Sequence, residues 1–341
     1  MKAIKILLVS LFALIPFHSA SAAEPKTIDN YYPVDEGYDT HWAFDYMEDL
    51  IDADIIEGTM DSYNNMYVYP ENNITRAEFV KLVVAALGLK SNGAGKTFSD
   101  VKPGAWYYDY VQIASSLDII NGKSATKFAP NDKITREEMT KVIVLAFKDT
   151  ISFPTTTTKN FTDVATDRWS AEFIKKAAAV EIVNGYEKNN FKPTSNAKRA
   201  EAMKMIQVAL QKEQSNVASD EEILAFLKNF IDQENAFAEA GDIEGLIGLY
   251  EENSTGYFKA EGNEYIEYGD ILGEDITFEV NDDNQALEVL AKSNRFATVG
   301  ITGITVTVSF GDLTRTLDVD GEYKLKKDAA GNWKIYSYYT Y

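Results

Sequence analysis

The sequence predicts an α-helical unit of pseudo-threefold symmetry, followed by an α+β domain built on an antiparallel sheet. Three observations predict it. A set of landmark residues recurs three times between Trp42 and Glu201, with a spacing of about 63 residues. Within each copy the apolar residues follow the 3.6-residue period of a helix. Beyond Tyr250 the period falls to two, and short runs rich in Val, Ile and Thr alternate with turn residues.

The elements follow in chain order. Residues 1–23 read as a secretory signal, with Lys2 and Lys5 ahead of an apolar run from Ile6 to Phe17 and an Ala20-Ser21-Ala22 cleavage site. Spanning a bilayer takes about twenty apolar residues, and Pro16 and His18 cut this run short. The expected mature protein is therefore exported and soluble, without a membrane anchor. Its 341 residues are 45% hydrophobic and 12% aromatic, enough for more than one core. With 33 Lys+Arg against 53 Asp+Glu the net charge is −20, which argues against nucleic acid as the main partner. The absence of cysteine excludes disulfides, Cys-ligated zinc and thiol nucleophiles. His18 and His41 are the only histidines, so no His triad and no multi-His metal site is expected. No cofactor or metal is anticipated.

The repeats occupy residues 24–210, at about 34–90, 98–148 and 161–210. Trp42, Trp106 and Trp169 lie 64 and 63 residues apart, and Gly58, Gly122 and Gly185 keep the same spacings. Phe98-Ser-Asp-Val101 returns as Phe161-Thr-Asp-Val164. Thr75-Arg-Ala-Glu78, Thr135-Arg-Glu-Glu138 and Lys198-Arg-Ala-Glu201 follow at 60 and 63, because the first copy is longer between Gly58 and Pro70. Each copy reads as helix, loop, helix. In the second, Tyr110, Ile113, Ala114 and Leu117 form one apolar stripe, Asn121-Gly122 is the expected helix stop, and Thr135 opens a helix carrying Met139, Val142, Ile143 and Ala146. One such pair cannot bury its own stripe, so three should pack together.

Together these landmarks resemble the S-layer homology (SLH) domain, a module that fastens exported proteins to the bacterial cell wall. The resemblance covers about residues 34–210 and rests on the aromatic-x-Asp-Val opening, the Trp, the Ile-Ile/Val-x-Gly turn, the x-Pro loop and the Thr-Arg-Ala-Glu helix start. It implies a ligand, secondary cell-wall polysaccharide, often bearing a pyruvate ketal, held in grooves between adjacent repeats. It also implies the residues that bind it: Arg76, Arg136, Arg199, Trp106, Trp169, Asp100, Asp163, Gly122 and Gly185.

The residues themselves admit plainer roles. Thr-x-x-Glu is a capping box, which accounts for Thr75, Glu78, Thr135 and Glu138. It does not account for an arginine in the first turn, where the helix dipole favours acids. Beside free helix N–H groups such an arginine is a carboxylate receptor. The alternative is an ion pair with the Asp of a neighbouring opening motif. Trp106 and Trp169 suit a core or the C–H face of a pyranose, and Asp100 and Asp163 suit helix caps or sugar hydroxyls. Two departures make equivalent grooves unexpected: Val34-Asp-Glu36 replaces the aromatic-x-Asp opening, and Lys198, which cannot accept a hydrogen bond, stands at a capping position.

After Leu210, residues 211–220 read as a polar linker. From Gln211 onward there are 10 Lys+Arg and 26 Asp+Glu, so −16 of the net charge sits in this part. Such a domain is expected to project away from an acidic wall polymer, with the linker as a hinge. Within 221–341, Glu221 to Ala240 reads as a long amphipathic helix and Asp242 as the cap of a second. Ile301 to Phe310 and Leu313 to Val319 read as strands joined by Gly311-Asp312, and Tyr323 to Lys327 pairs with Trp333 to Tyr341. Asn281-Asp-Asp-Asn284 reads as a turn or cap rather than a calcium loop, lacking the Gly and distal Glu of one. The order of elements resembles the nuclear-transport-factor-2-like (polyketide-cyclase-like) cone fold, which implies a curved antiparallel sheet around a long helix. Some members catalyse with His and Asp in the cone pocket, and this region has no histidine. The alternating aromatics of Tyr336 to Tyr341 suggest either a strand covered on two sides or a face for a partner.

The expected function is therefore non-enzymatic: a secreted bacterial cell-surface protein held to the wall by its repeats, whose C-terminal domain binds a protein or small ligand. One rival is a wall-attached enzyme using carboxylates in the cone pocket. Another is a lattice-forming envelope protein, against which the small size outside the anchor argues.

Overall fold

The computed structural model describes residues 26–341 apart from 155, 158, 270–275, 311, 312 and 319. The signal segment, with His18, and the Gly311-Asp312 turn lie outside the described residues. Helices α1 (Phe44–Asp52) and α2 (Arg76–Ala86) form the first repeat. Helices α3 (Tyr108–Ser116) and α4 (Arg136–Ala146) form the second, and α5 (Ala171–Ala179) and α6 (Arg199–Gln211) the third. The extra residues of the first copy make a hairpin, β1 (Thr59–Met60) with β2 (Met66–Tyr67), whose turn is tied by Asp61 accepting from the Tyr63 and Asn65 N–H groups.

Helix α2 packs on α3, α4 on α5 and α6 back on α1, so the pairs close a ring. Its centre is a backbone triangle: Ile74 N donates to Ala197 O, Ala197 N to Ile134 O, and Ile134 N to Ile74 O, at 2.9–3.1 Å. Phe79, Phe128, Phe147, Phe191 and Met139 fill one continuous core without measurable exposure beyond 1%. That single core is why the repeats fold together.

The helix stop differs from the expected one. Helix α3 ends at Ser116, and Asp118 takes the left-handed conformation (φ 55°), as do Asp54 (53°) and Glu181 (64°). Gly122 is needed for close approach instead: a Cβ there would stand 2.4 Å from Lys127 O and 2.8 Å from Phe98 Cε1.

The C-terminal part begins with α7 (Asp220–Ala240), α8 (Ile243–Asn253), capped by Asp242, and α9 (Gly256–Gly269). Its strands divide between two open antiparallel sheets rather than one. Strands β3 (Ile276–Asn281), β6 (Thr305–Phe310) and β7 (Leu313–Asp318) make one, in the order β3-β6-β7. Strands β4 (Ala286–Lys292), β5 (Phe296–Thr302), β8 (Gly321–Lys327) and β9 (Trp333–Thr340) make the other, in that order. The single run expected from Ile301 to Phe310 is broken at Gly303 (φ 80°), where any Cβ would meet Asn284 O at 2.2 Å. The chain crosses between the sheets three times, through 282–285, through Gly303 and after Asp318, and Asn284, Gly303 and Asp320 meet at this corner. The second core lies between the helices and the four-stranded sheet, around Phe230, Tyr250, Phe258, Tyr323 and Ile335.

The two parts are docked, and the segment expected to hinge is a fixed strap. Glu213 is buried and accepts from Arg295 Nε at 2.8 Å, while Arg295 Nη1 reaches Leu87 O and Gln214 N donates to Thr150 O. The average charge of −16 conceals a local basic face, since Arg295, Lys324 and Lys326 all turn toward the helical ring. Tyr336 Oη and Lys324 Nζ each reach Asp49 at 2.8 Å, and Ser337 Oγ and Tyr339 Oη reach Asp52 at 2.8 and 2.6 Å. Strand β9 is thus covered on two sides, with Tyr338 on its own core and Tyr336 on the ring.

Candidate functional site

The three arginines that the capping box leaves unexplained are staples between consecutive repeats. Arg76 Nε donates to Phe128 O (2.9 Å), and Nη1 pairs with Glu138 (3.2 Å). Arg136 Nε donates to Phe191 O (2.8 Å), and Nη1 pairs with Glu201 (2.5 Å). Arg199 Nε donates to Val68 O (2.8 Å), and Nη1 faces Glu78 at 3.7 Å, closing the circle. The carboxylate partner is thus the capping-box Glu of the next repeat, not the opening-motif Asp. The first helical N–H groups are engaged as well. Arg76, Arg136 and Arg199 donate their backbone N–H to Asp132, Ser195 and Asn72 carbonyls, each at 2.9 Å.

Glu138 is held below the usual carboxylate range. Burial pushes it up, but the Thr135 N–H, the Lys123 ammonium and the Arg76 guanidinium outweigh burial. Glu78 shifts the same way, burial being outweighed by the Thr75 bonds and Arg199. Lys198 supplies no side-chain cap, and the third repeat keeps only half the box, with Lys198 N donating to Glu201 at 3.0 Å.

The aspartates shape loops. Asp100 accepts from Phe128 N and Ala129 N at 2.9 and 2.8 Å, and Asp163 from Phe191 N and Lys192 N at 2.7 Å. Asp35 does the same for Val68 N and Tyr69 N. The first repeat therefore has its aspartate. Its place 65 residues before Asp100 was the available signal, masked by the missing aromatic. The bonds hold Tyr69, Ala129 and Lys192 at positive φ, turning each chain into its x-Pro loop.

The tryptophans stand out at the surface: Trp42 and Trp106 are each 55% exposed and Trp169 52%. Trp169, from the third repeat, forms one wall of a cleft of about 270 Å³ at the junction of the first two, with Arg76, Gly122, Lys123, Glu138 and Lys141. Lys123 pairs with Glu138 at 2.9 Å, and Lys141 Nζ lies 5.8 Å from the Trp169 ring centre. A second cleft, about 430 Å³, opens at the junction of the third and first repeats and is lined by Thr59, Tyr69, Glu78 and Arg199, with Lys133 of the second. There Tyr69 stacks on Tyr67, ring centres 5.4 Å apart and planes 9° apart. Between the second and third repeats, Tyr186 lies over Arg136, its ring centre 4.5 Å from the guanidinium carbon. Gly185 (φ 73°) brings that loop against Phe161. An exposed indole beside cations and amide groups can stack on a sugar ring and pair with a carboxylate, which is the chemistry of an acidic glycan site.

In the C-terminal core Glu234 is fully enclosed and accepts from Tyr250 Oη; burial pushes it far above the usual range. The Asn281–Asn284 segment is a turn, with Gln285 N donating to Asp282 O at 2.9 Å. No helix among the described residues is long and apolar enough to cross a membrane.

Comparison with known proteins agrees with this geometry. Residues 38–80, 97–140 and 160–203 each match the S-layer homology domain family. The chain is 30% identical over 209 residues to an endoglucanase of Bacillus sp. (strain KSM-635), covering 60% of this chain and 21% of that protein. It is 34% identical over 149 residues to the surface-layer 125 kDa protein of Lysinibacillus sphaericus, covering 43% of this chain and 12% of that protein. It is 30% identical over 153 residues to the cellulosome-anchoring protein of Acetivibrio thermocellus, covering 42% of this chain and 33% of that protein. The chain therefore spans at most a third of these relatives' length.

Proposed function

We propose that this chain, which carries three S-layer homology domains, is held non-covalently at the bacterial cell surface by secondary cell-wall polysaccharide. The carrying observation is the cleft at the junction of the first two repeats, where exposed Trp169 of the third faces Lys123, Lys141 and Arg76. The indole offers a flat apolar face to a pyranose. The two ammonium groups, and the guanidinium N–H groups not spent on Phe128, Asn121 and Glu138, suit a carboxylate such as a pyruvate ketal. Trp106, equivalent to Trp169 in the repeat and 55% exposed, is assigned the same role. Gly122 and Gly185 let the groove loops close, and Asp100 and Asp163 set their path. The C-terminal domain serves binding or interaction: among its described residues the most enclosed carboxylate, Glu234, is bonded to Tyr250 rather than to a second acid.

The test is sedimentation of the full mature chain with purified walls, before and after the polysaccharide is stripped. Binding should disappear on stripping. Undiminished binding overturns the proposal.

A further inference from the structure

We propose that Tyr186 shuts the groove between the second and third repeats, so that the ring carries its own occupant there and takes glycan only through its other grooves. This deepens the anchoring reading and rests on it.

The residue after the turn glycine differs in each copy: Thr59, Lys123 and Tyr186. Where it is Lys123, an ion pair with Glu138 leaves a cleft of about 270 Å³ above Arg76. Where it is Thr59, a cleft of about 430 Å³ opens beside Arg199. Where it is Tyr186, the side chain itself covers the arginine. The phenol ring centre lies 4.5 Å from the Arg136 guanidinium carbon on one side and 4.2 Å from Lys192 Nζ on another. Its hydroxyl donates to Glu201, the carboxylate equivalent to Glu138. One tyrosine thus offers a flat ring to the cations and a hydroxyl to the acid, the two contacts a stacked pyranose would make.

The loop is built to hold it there. Gly185 is left-handed (φ 73°), residues Glu187–Asn189 form a short 3-10 turn, and Tyr186 N donates to Asn190 O at 2.7 Å. Lys188 and Asn189 also sit at positive φ (58° and 56°), a conformation that costs free energy for residues with a Cβ. Burial and the Glu201 bond push the phenol up to about 12, so it stays a neutral donor through the physiological range.

The experiment uses the full mature chain and a methyl glycoside bearing a pyruvate ketal. Binding is read by calorimetric stoichiometry and by the groove occupied in soaked crystals. The wild type should show glycoside in one or both of the other grooves and none over Arg136. Tyr186→Thr, the first-repeat residue, should add one site per chain, located over Arg136. A second variant carrying residues 123–127 in place of 186–190 covers the case in which the point change lowers the melting temperature. Glycoside over Arg136 in the wild type, or no gained site in a folded variant, overturns the assignment of Tyr186 while leaving the anchoring reading intact. A wild type that binds in no groove overturns that reading, and this proposal with it.

Discussion

The joints within the ring and the joint between the ring and the C-terminal domain use the same residue types to opposite effect. Within the ring, Glu78 and Glu138 meet backbone N–H groups and cations, and both are held below the usual carboxylate range despite burial. At the joint with the C-terminal domain the carboxylates meet hydroxyls, one ammonium and each other. Burial pushes Asp52 up to about 6, against the Tyr339 and Ser337 bonds and Lys324. Burial, then the neighbouring Asp52, pushes Glu48 up to about 7. Burial, with Asp52 and Glu264 nearby, pushes Glu261 up to about 8, and its Oε2 is enclosed without a partner. A buried carboxylate is therefore not a structural type. Its partners decide whether it is a fixed anion or a proton acceptor within the physiological range.

The largest expected effect tests the ring side. Arg136→Ala leaves Glu201 buried with its cation removed, and breaking such a pair costs about 3–5 kcal/mol. The melting temperature should fall well below that of Thr135→Ala, which removes only a cap, about 1 kcal/mol. A smaller fall for the arginine change would show that Arg136 is not a staple. Next, Gly256→Ala should weaken the docking joint. Its φ is 61°, and a Cβ would stand 1.7 Å from Asp52 O, where the start of α9 meets the end of α1. The left-handed strain alone is about 1–2 kcal/mol. Amide exchange should rise at Tyr336 to Tyr339 but stay slow at Ile74, Ile134 and Ala197. Unchanged exchange in β9 would mean that the approach of α9 to α1 does not govern docking.

The comparison also sets two opposite pH dependences. Asp52, Glu48 and Glu261 have docked values above their ordinary ones, so their contribution is full below about pH 4 and is lost as pH rises through about 6 to 8. Lys324 faces Asp49 and Asp52. Lys326, facing Asp54 and Lys26 and lowered by burial to about 8, adds its own dependence only near and above that value. For the lowered Glu78 and Glu138 the sign reverses: their contribution is present above the ordinary carboxylate value and is lost in acid. The melting temperature of the full chain should therefore pass through a maximum in mildly acid solution. Asp52→Asn keeps an acceptor for Ser337 and Tyr339 and should flatten the decline between about pH 4 and 6. An unchanged slope would remove Asp52 from the account.

How far these joints could be read beforehand follows from how local their causes are. The capping boxes at Thr75 and Thr135 form as their spacing predicts, because both partners lie within one helical turn. The arginine partners did not follow, because Arg76 meets Glu138 and Arg136 meets Glu201 only once one repeat is set against the next. Helix α9 is not legible because Gly262 weakens the helical pattern in the sequence, and that glycine makes room for the Tyr250 ring, which would lie 2.0 Å from a Cβ. The strap at Glu213 and the basic face of Arg295, Lys324 and Lys326 were hidden by an average: a net charge says nothing about which side of a domain its few cations occupy.

The smallest expected effect asks whether the third repeat can be made equivalent to the others. Lys198 has φ −85° and ψ 156°, against −80° and 161° for Thr75 and −81° and 158° for Thr135. The backbone is already in the capping conformation, and Glu201 already completes its half of the box. Only the acceptor for Glu201 N is missing. Lys198→Thr supplies it, worth about 1 kcal/mol by analogy with other caps. The change also removes the exposed pair of Lys198 with Glu71, and such surface pairs contribute about 0–1 kcal/mol. The net should be a small gain, about half a kcal/mol, seen as a rise in melting temperature that persists at high salt, where the lost surface pair is screened. A loss at high salt would mean that Lys198 has a role in the ring that a cap does not replace.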